Sequence, residues 1–190
     1  MTPYMFYIST GISAVLGLYV LSKTKRDYEE KEKLSTRTSL GWWIVDTAWI
    51  ALVVESSLYN LWPLPIEEIK ALTSGLALFM VGGILTLAGI IEFRSLRRVS
   101  GVETSKLITT GIYRWSRNPQ FLGFYLALLG ISFLGRSGYA LLLTIIIIIC
   151  HYYIIKIEEP YLERIFGKEY LEYKLRTSRY FGMQEARTNP

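Results

Sequence analysis

Cysteine and histidine are almost missing: 190 residues contain one of each, Cys150 and His151. A single thiol excludes an intramolecular disulfide. One Cys and one His cannot assemble a zinc or haem ligand set, so no metal is expected. A soluble core is also lacking, because short connections are all that remain once the apolar runs are set aside. No basic surface large enough for nucleic acid lies outside those runs. The formal net charge is +5, but its Lys and Arg sit in the connections, where they suit anionic headgroups and orientation in a bilayer. The first residues, MTPYMFYIST, lack the positive start and small-residue cleavage site of a removable signal, and read as a first spanning helix.

What is present is apolar and aromatic. Hydrophobic residues make up 51% and aromatics 14%, and the mean hydropathy is +0.28. Several apolar runs approach twenty residues, which places the chain among multi-pass membrane proteins. The fold expected is an all-α integral membrane domain over residues 1–190. It has five transmembrane helices at about 3–21, 40–62, 71–93, 119–134 and 139–155, with C-terminal amphipathic helices closing a cytoplasmic cofactor pocket. The mixed-charge stretch after the first span reads as a solvated, partly helical connector. Trp42, Trp43 and Trp62 mark the ends of the second span. That span carries Asp46 and Glu55, nine residues apart and on opposite faces of a helix, so they are not a catalytic pair. Asp46 is placed near the headgroups, and Glu55 is the more notable of the two, with a structural partner expected for it.

Gly75, Gly82 and Gly89 recur every seven residues of the third span, and Gly123, Ala127 and Gly130 form a second small-residue stripe. Both read as helix-packing faces. Gly135–Gly138 is short enough to make the fourth and fifth spans an antiparallel hairpin. His151 is expected to hydrogen-bond at a helix interface. Pro160 suits the first turn of a new amphipathic segment, which Gly167 interrupts, and 184–190 reads as a disordered tail.

Lys and Arg are abundant in the first and third connections and after the fifth span, whereas the second and fourth carry only Lys70 and Arg136. The positive-inside rule then sets the N-terminus outside and the C-terminus in the cytoplasm. It also puts 94–118 and 156–180 on one cytoplasmic face, where Asn118 and Glu158 can border one pocket. Asn118-Pro119 biases Asn118 away from the helical region, so a helix can start at Pro119 but not run through it, and a helix start presents free N–H groups to a ligand carrying negative charge. Tyr113, Trp115 and Phe121 offer flat faces beside it.

The stretch from Gly111, G-I-Y-R-W-S-R-N-P-Q-F-L-G, resembles the G-x-Y-x-x-x-R-H-P-x-Y-x-G signature of the isoprenylcysteine carboxyl methyltransferase and phospholipid methyltransferase superfamily. From Glu158, E-E-P-Y-L-E-R-I-F-G-K-E-Y-L-E-Y resembles its second signature, E-E-x-x-L-x-x-x-F-G-x-x-Y-x-x-Y. The resemblance covers about residues 90–180, and the chain length suits a prokaryotic or archaeal member. Asn118 stands where the family has His, and Phe121 where it has Tyr.

The resemblance implies an S-adenosylmethionine-dependent methyltransferase. Tyr113, Asn118, Pro119, Gln120 and Phe121 would line the cofactor, as would Lys106, Leu107 and Ile108. Glu158 would bind its polar end, Glu159 would help hold the C-terminal segment, and Arg117 would fix the loop. The expected acceptor is a lipidic molecule entering from the bilayer, with a prenylcysteine-like carboxylate leading and a phospholipid amine second. A carboxylate needs no general base, only a cation to aim it. Arg94 is the first candidate, oriented by Glu92, with Arg97 and Arg98 as substitutes. The rivals are an NADPH-dependent reductase of the sterol reductase type and a non-enzymatic membrane scaffold.

Overall fold

A computed structural model describes residues 3–182 of the chain; the tail expected to be disordered lies outside them. Among the described residues seven α-helices run in order: α1 Pro3–Lys31, α2 Thr36–Leu58, α3 Glu68–Phe93, α4 Leu96–Val99, α5 Pro119–Leu134, α6 Gly138–Phe166 and α7 Lys168–Arg176, with one 3-10 turn at Gly111–Arg114. Three of them, α1, α3 and α6, are long and apolar enough to cross a membrane, and α5 is a shorter apolar helix.

The burial pattern of α3 identifies its surroundings. Its buried residues are Ala71, Gly75, Gly82 and Gly89, while Leu72, Leu76, Met80, Ile84, Leu87 and Ile91 point outward. Large side chains outside and glycines inside invert the arrangement of a water-soluble protein, and fit a helix whose outer face meets lipid.

The glycines lie against α5. A Cβ at Gly82 would sit 2.4 Å from the Ala127 nitrogen, and one at Gly123 2.4 Å from the Thr86 nitrogen. Gly130 meets the Phe79 nitrogen, and Gly89 meets the backbone of Gln120. The two stripes therefore interlock backbone to backbone, as their spacing implies.

At one end of the bundle, the α2–α3 connection pairs with the α5–α6 turn. Gly138 N donates to Trp62 O at 2.8 Å, Leu64 N to Arg136 O at 2.8 Å, and the Ser137 hydroxyl to Leu61 O. The basic connections gather at the other end, where Leu34 N donates to Gly101 O and the rings of Tyr28 and Tyr161 lie 4.8 Å apart.

Two helices outrun their expected ends. α1 continues ten residues past Leu21 because its charged stretch carries helical i,i+4 pairs: Lys25–Glu29, Arg26–Glu30 and Asp27–Lys31. Asp27 is buried and accepts from Ser35 N and from the Ser35 and Thr38 hydroxyls, which fastens α1 to the start of α2. α6 passes through Pro160 rather than ending before it. Proline removes the donor that would satisfy the Lys156 carbonyl, and residues 156 and 160 are both exposed, so water can take its place. Gly167, at φ +51°, separates α6 from α7.

Beyond α7, residues 177–182 fold back under the turn that precedes α5. Glu159 is the knot. Its carboxylate accepts from Arg117 Nη2 at 2.7 Å and from Arg179 Nε and Nη2 at 3.1 and 2.5 Å. Arg117 also donates to Thr177 O at 2.7 Å and to Lys174 O. Both Arg117 and Glu159 have side chains only 7% exposed, so their pairing is desolvated.

The neighbours Gly82 and Gly83 separate backbone contact from simple helix propensity, because a Cβ at Gly83 meets nothing within 4 Å. Gly82→Ala is expected to cost about 1–3 kcal/mol, and Gly83→Ala to stabilise by up to about 1 kcal/mol. Thermal unfolding in detergent checks both, and equal shifts contradict the seam. Glu159→Ala strands two guanidinium groups and should cost about 3–5 kcal/mol. Limited proteolysis should then cut after α7 well before the bundle opens.

Candidate functional site

Gly111 begins the site with a positive φ of +57°, and a Cβ there would fall 1.8 Å from Glu92 Oε1. The positive φ favours glycine, and its missing side chain lets Glu92 pack on the turn, which brings the end of α3 against the 3-10 turn. Tyr113 is buried in this turn, and its hydroxyl donates to Gln120 Oε1 at 2.6 Å. The Tyr173 hydroxyl donates to Tyr113 O at 2.7 Å. Burial pushes both phenols above their usual range, so both remain donors at neutral pH.

Asn118 (φ −135°, ψ 55°) takes the N-cap position of α5 without a side-chain cap bond, with Pro119 as the first helical residue. Its N–H donates to the Ser116 hydroxyl, and its side-chain amide donates to Arg179 O at 3.1 Å. Asn118 thus ties down the C-terminal segment with one edge and presents the other to a cavity.

That cavity, of about 340 Å³, runs from the basic end of the bundle into its apolar interior. Lys106, Leu107, Ile108, Tyr113, Asn118, Gln120, Phe121, Glu158 and Glu159 all line it. Two stretches forty residues apart are thereby brought around one space. Pro119 is buried outside that lining and shapes the wall by starting α5. Glu158 faces the Tyr28 hydroxyl, so α1 also reaches the site.

Arg94 and Glu92 lie outside the lining. Arg94 caps α3 in the left-handed conformation with its side chain exposed, and Glu92 packs against Gly111. Arg98 lines the cavity instead. It donates to Glu103 Oε1 at 3.1 Å, and with the Ser105 hydroxyl it holds the Glu103 carboxyl below its usual range.

The apolar end of the cavity is built largely from α2. Ser39, Trp42, Trp43, Asp46, Thr47 and Ile50 of α2 line it, at the three-to-four-residue spacing of one helical face. Asp46 meets His151 Nε2 at 3.1 Å. No side-chain hydrogen bond or ion pair engages Glu55 among the described residues. The signal available in the sequence was the match between Asp46 on α2 and the lone histidine on α6.

Geometrically, the site is a pocket with carboxylates, two arginines, a lysine and aromatic walls at one end and an apolar chamber at the other. Residues 71–169 match the phospholipid methyltransferase family. The chain is 38% identical over 69 residues to the protein-S-isoprenylcysteine O-methyltransferase of Saccharomyces cerevisiae, covering 36% of this chain and 29% of that protein. It is 29% identical over 108 residues to protein-S-isoprenylcysteine O-methyltransferase B of Arabidopsis thaliana, covering 54% of each. The chain thus spans about half or less of the curated relatives it matches, and no solved structure matches it. The family match takes in α3, α5, α6 and the turn between them, which line the cavity together with α2, and the chain belongs to the phospholipid methyltransferase family.

Proposed function

We propose that this protein is an integral membrane methyltransferase that uses S-adenosylmethionine to methylate a lipidic acceptor. The observation that carries the reading is the single cavity bordered by both Asn118 and Glu158. The donor set fits such a cofactor. Glu158 supplies an acceptor for an ammonium, Lys106 supplies a cation for a carboxylate, and Leu107, Ile108 and Phe166 supply apolar surface for a purine. The volume lies in the range of small-molecule sites.

S-adenosylmethionine supplies an electrophilic methyl group on a sulfonium, and the chain's own contribution is placement. The knot at Glu159 fixes Arg117, and with it the turn carrying Asn118. Tyr113 holds Gln120 against the cavity. Phe121 and Phe124 wall the apolar end and keep water from the reacting centre. An acceptor carboxylate is ionised and needs only aiming, which Arg98 is better placed to do than Arg94. The names of the two relatives support a prenylcysteine-like carboxylate as acceptor.

The bilayer supplies the route. α2 packs on α1, α5 and α6, while α3 packs on α5, so α2 and α3 face one another across the cavity. A lipid tail can enter between them. We assign five spans, with the basic end, the cavity and the C-terminus in the cytoplasm and the N-terminus outside, from the Lys and Arg bias of the connections.

Purified protein should bind S-adenosylhomocysteine and not NADPH in calorimetric titration; the reverse result establishes the reductase reading. Glu158→Gln removes a charged partner worth about 1.5–3 kcal/mol, so affinity for S-adenosylhomocysteine should fall about 10- to 100-fold. Arg98→Ala should lower kcat/KM for labelled-methyl transfer to a prenylcysteine by about 10²-fold. A larger loss for Arg94→Ala would return acceptor positioning to the end of α3.

A further inference from the structure

The Asp46–His151 pair lies deeper than the groups assigned to the cofactor. His151 precedes Glu158 by seven residues of α6, which is about 10 Å along the helix. A carboxylate and an imidazole at bilayer depth are costly to keep and mark function more often than packing. The histidine is enclosed by rings: Phe121 at 4.9 Å, Phe124 and Tyr125 at 5.8 Å, and Trp42 and Trp49 at 6.3 Å. Its side chain is 1% exposed. Asp46 remains 28% exposed on the cavity side.

The chemistry of the pair is one-sided. An ionised carboxylate only accepts hydrogen bonds, so His151 Nε2 carries the proton that bridges to Asp46 Oδ1. Nδ1 is then left as an acceptor, and it is buried with no partner among the described residues. The free Asp46 oxygen is likewise an acceptor. A carboxylate oxygen exposed to an apolar chamber calls for a ligand group that donates. A carboxylate or phosphate placed there would meet like polarity, so the anion of an acceptor belongs nearer Arg98.

We propose that Asp46, held in place by His151, is a specificity-determining residue that takes an N–H group on the lipidic acceptor, beside the carboxylate to be methylated. This rests on the methyltransferase reading for the identity of the lipid. The recognised molecule then carries a prenyl-type tail between α2 and α3, its carboxylate toward Arg98 and its N–H toward Asp46. An amide and an ammonium share this donor chemistry.

Binding can be measured without turnover, because Trp42 and Trp43 line the cavity and report occupancy by fluorescence quenching. Three probes with one tail and one carboxylate suffice: N-acetyl-S-farnesylcysteine, S-farnesylcysteine and S-farnesylthiopropionic acid, which has no nitrogen. The wild-type protein should bind at least one nitrogen-bearing probe at least ten-fold tighter than the thiopropionate, and which one it prefers identifies the donor as amide or ammonium. Asp46→Asn should reduce that preference to less than three-fold. Equal wild-type affinity for all three probes overturns the proposal without recourse to any variant. So does a uniform loss across the probes in Asp46→Asn, which would mark a structural role. Failure to bind any probe also overturns it, and S-adenosylhomocysteine binding by the same sample then shows whether the methyltransferase reading still stands.

Discussion

Close backbone contact between α3 and α5 is the constraint from which the site follows. Inside a bilayer, lipid tails are as apolar as leucine, so helices gain little by burying large side chains against one another. Van der Waals contact between smooth faces takes over, and it has a strict register. Gly82 meets Gly123 and Ala127, and Gly89 meets Gln120. A shift of one residue would drive a side chain into a backbone. The same register sets the height of Asn118 and Pro119 relative to the end of α3, which is what lets Gly111 close over Glu92. Turn, helix start and cavity wall are thus consequences of one seam.

A second device works at the basic end, where a set of polar contacts is withdrawn from water. Glu159 gathers Arg117 and Arg179, Asn118 holds the Arg179 carbonyl, and Tyr173 reaches back to Tyr113. These contacts join α6, the segment after α7 and the turn before α5. Desolvated ion pairs of this kind contribute little net stability, but they specify one arrangement. Here the arrangement is the closed side of a pocket whose other side opens to α2 and α3.

Much of this was legible in the sequence because it depended on local stereochemistry. Asn-Pro fixed the start of α5, the small-residue stripes marked the faces that pack, and Gly167 marked the break before α7. What was not legible depended on partners. Lys25, Arg26 and Asp27 looked like a solvated connector, yet their i,i+4 partners extend α1 until Tyr28 reaches the site. Pro160 looked like a helix start, and only the exposure of residues 156 and 160 explains why α6 runs through it. Asp46 reads as the less notable of the two carboxylates along α2 alone, because its partner His151 lies on another helix. Arg94 was preferred to Arg98 for its position at a helix end, but its left-handed backbone and exposed side chain leave it outside the lining.

Hydrogen–deuterium exchange of the full chain in nanodiscs, with and without S-adenosylhomocysteine, tests most directly whether two distant stretches form one methyl-donor site. Ligand should slow exchange together across 104–121 and 156–179 and leave the opposite connections, 59–67 and 135–138, unchanged. Protection confined to one of the two stretches, or appearing at the opposite end of the bundle, contradicts a shared cavity.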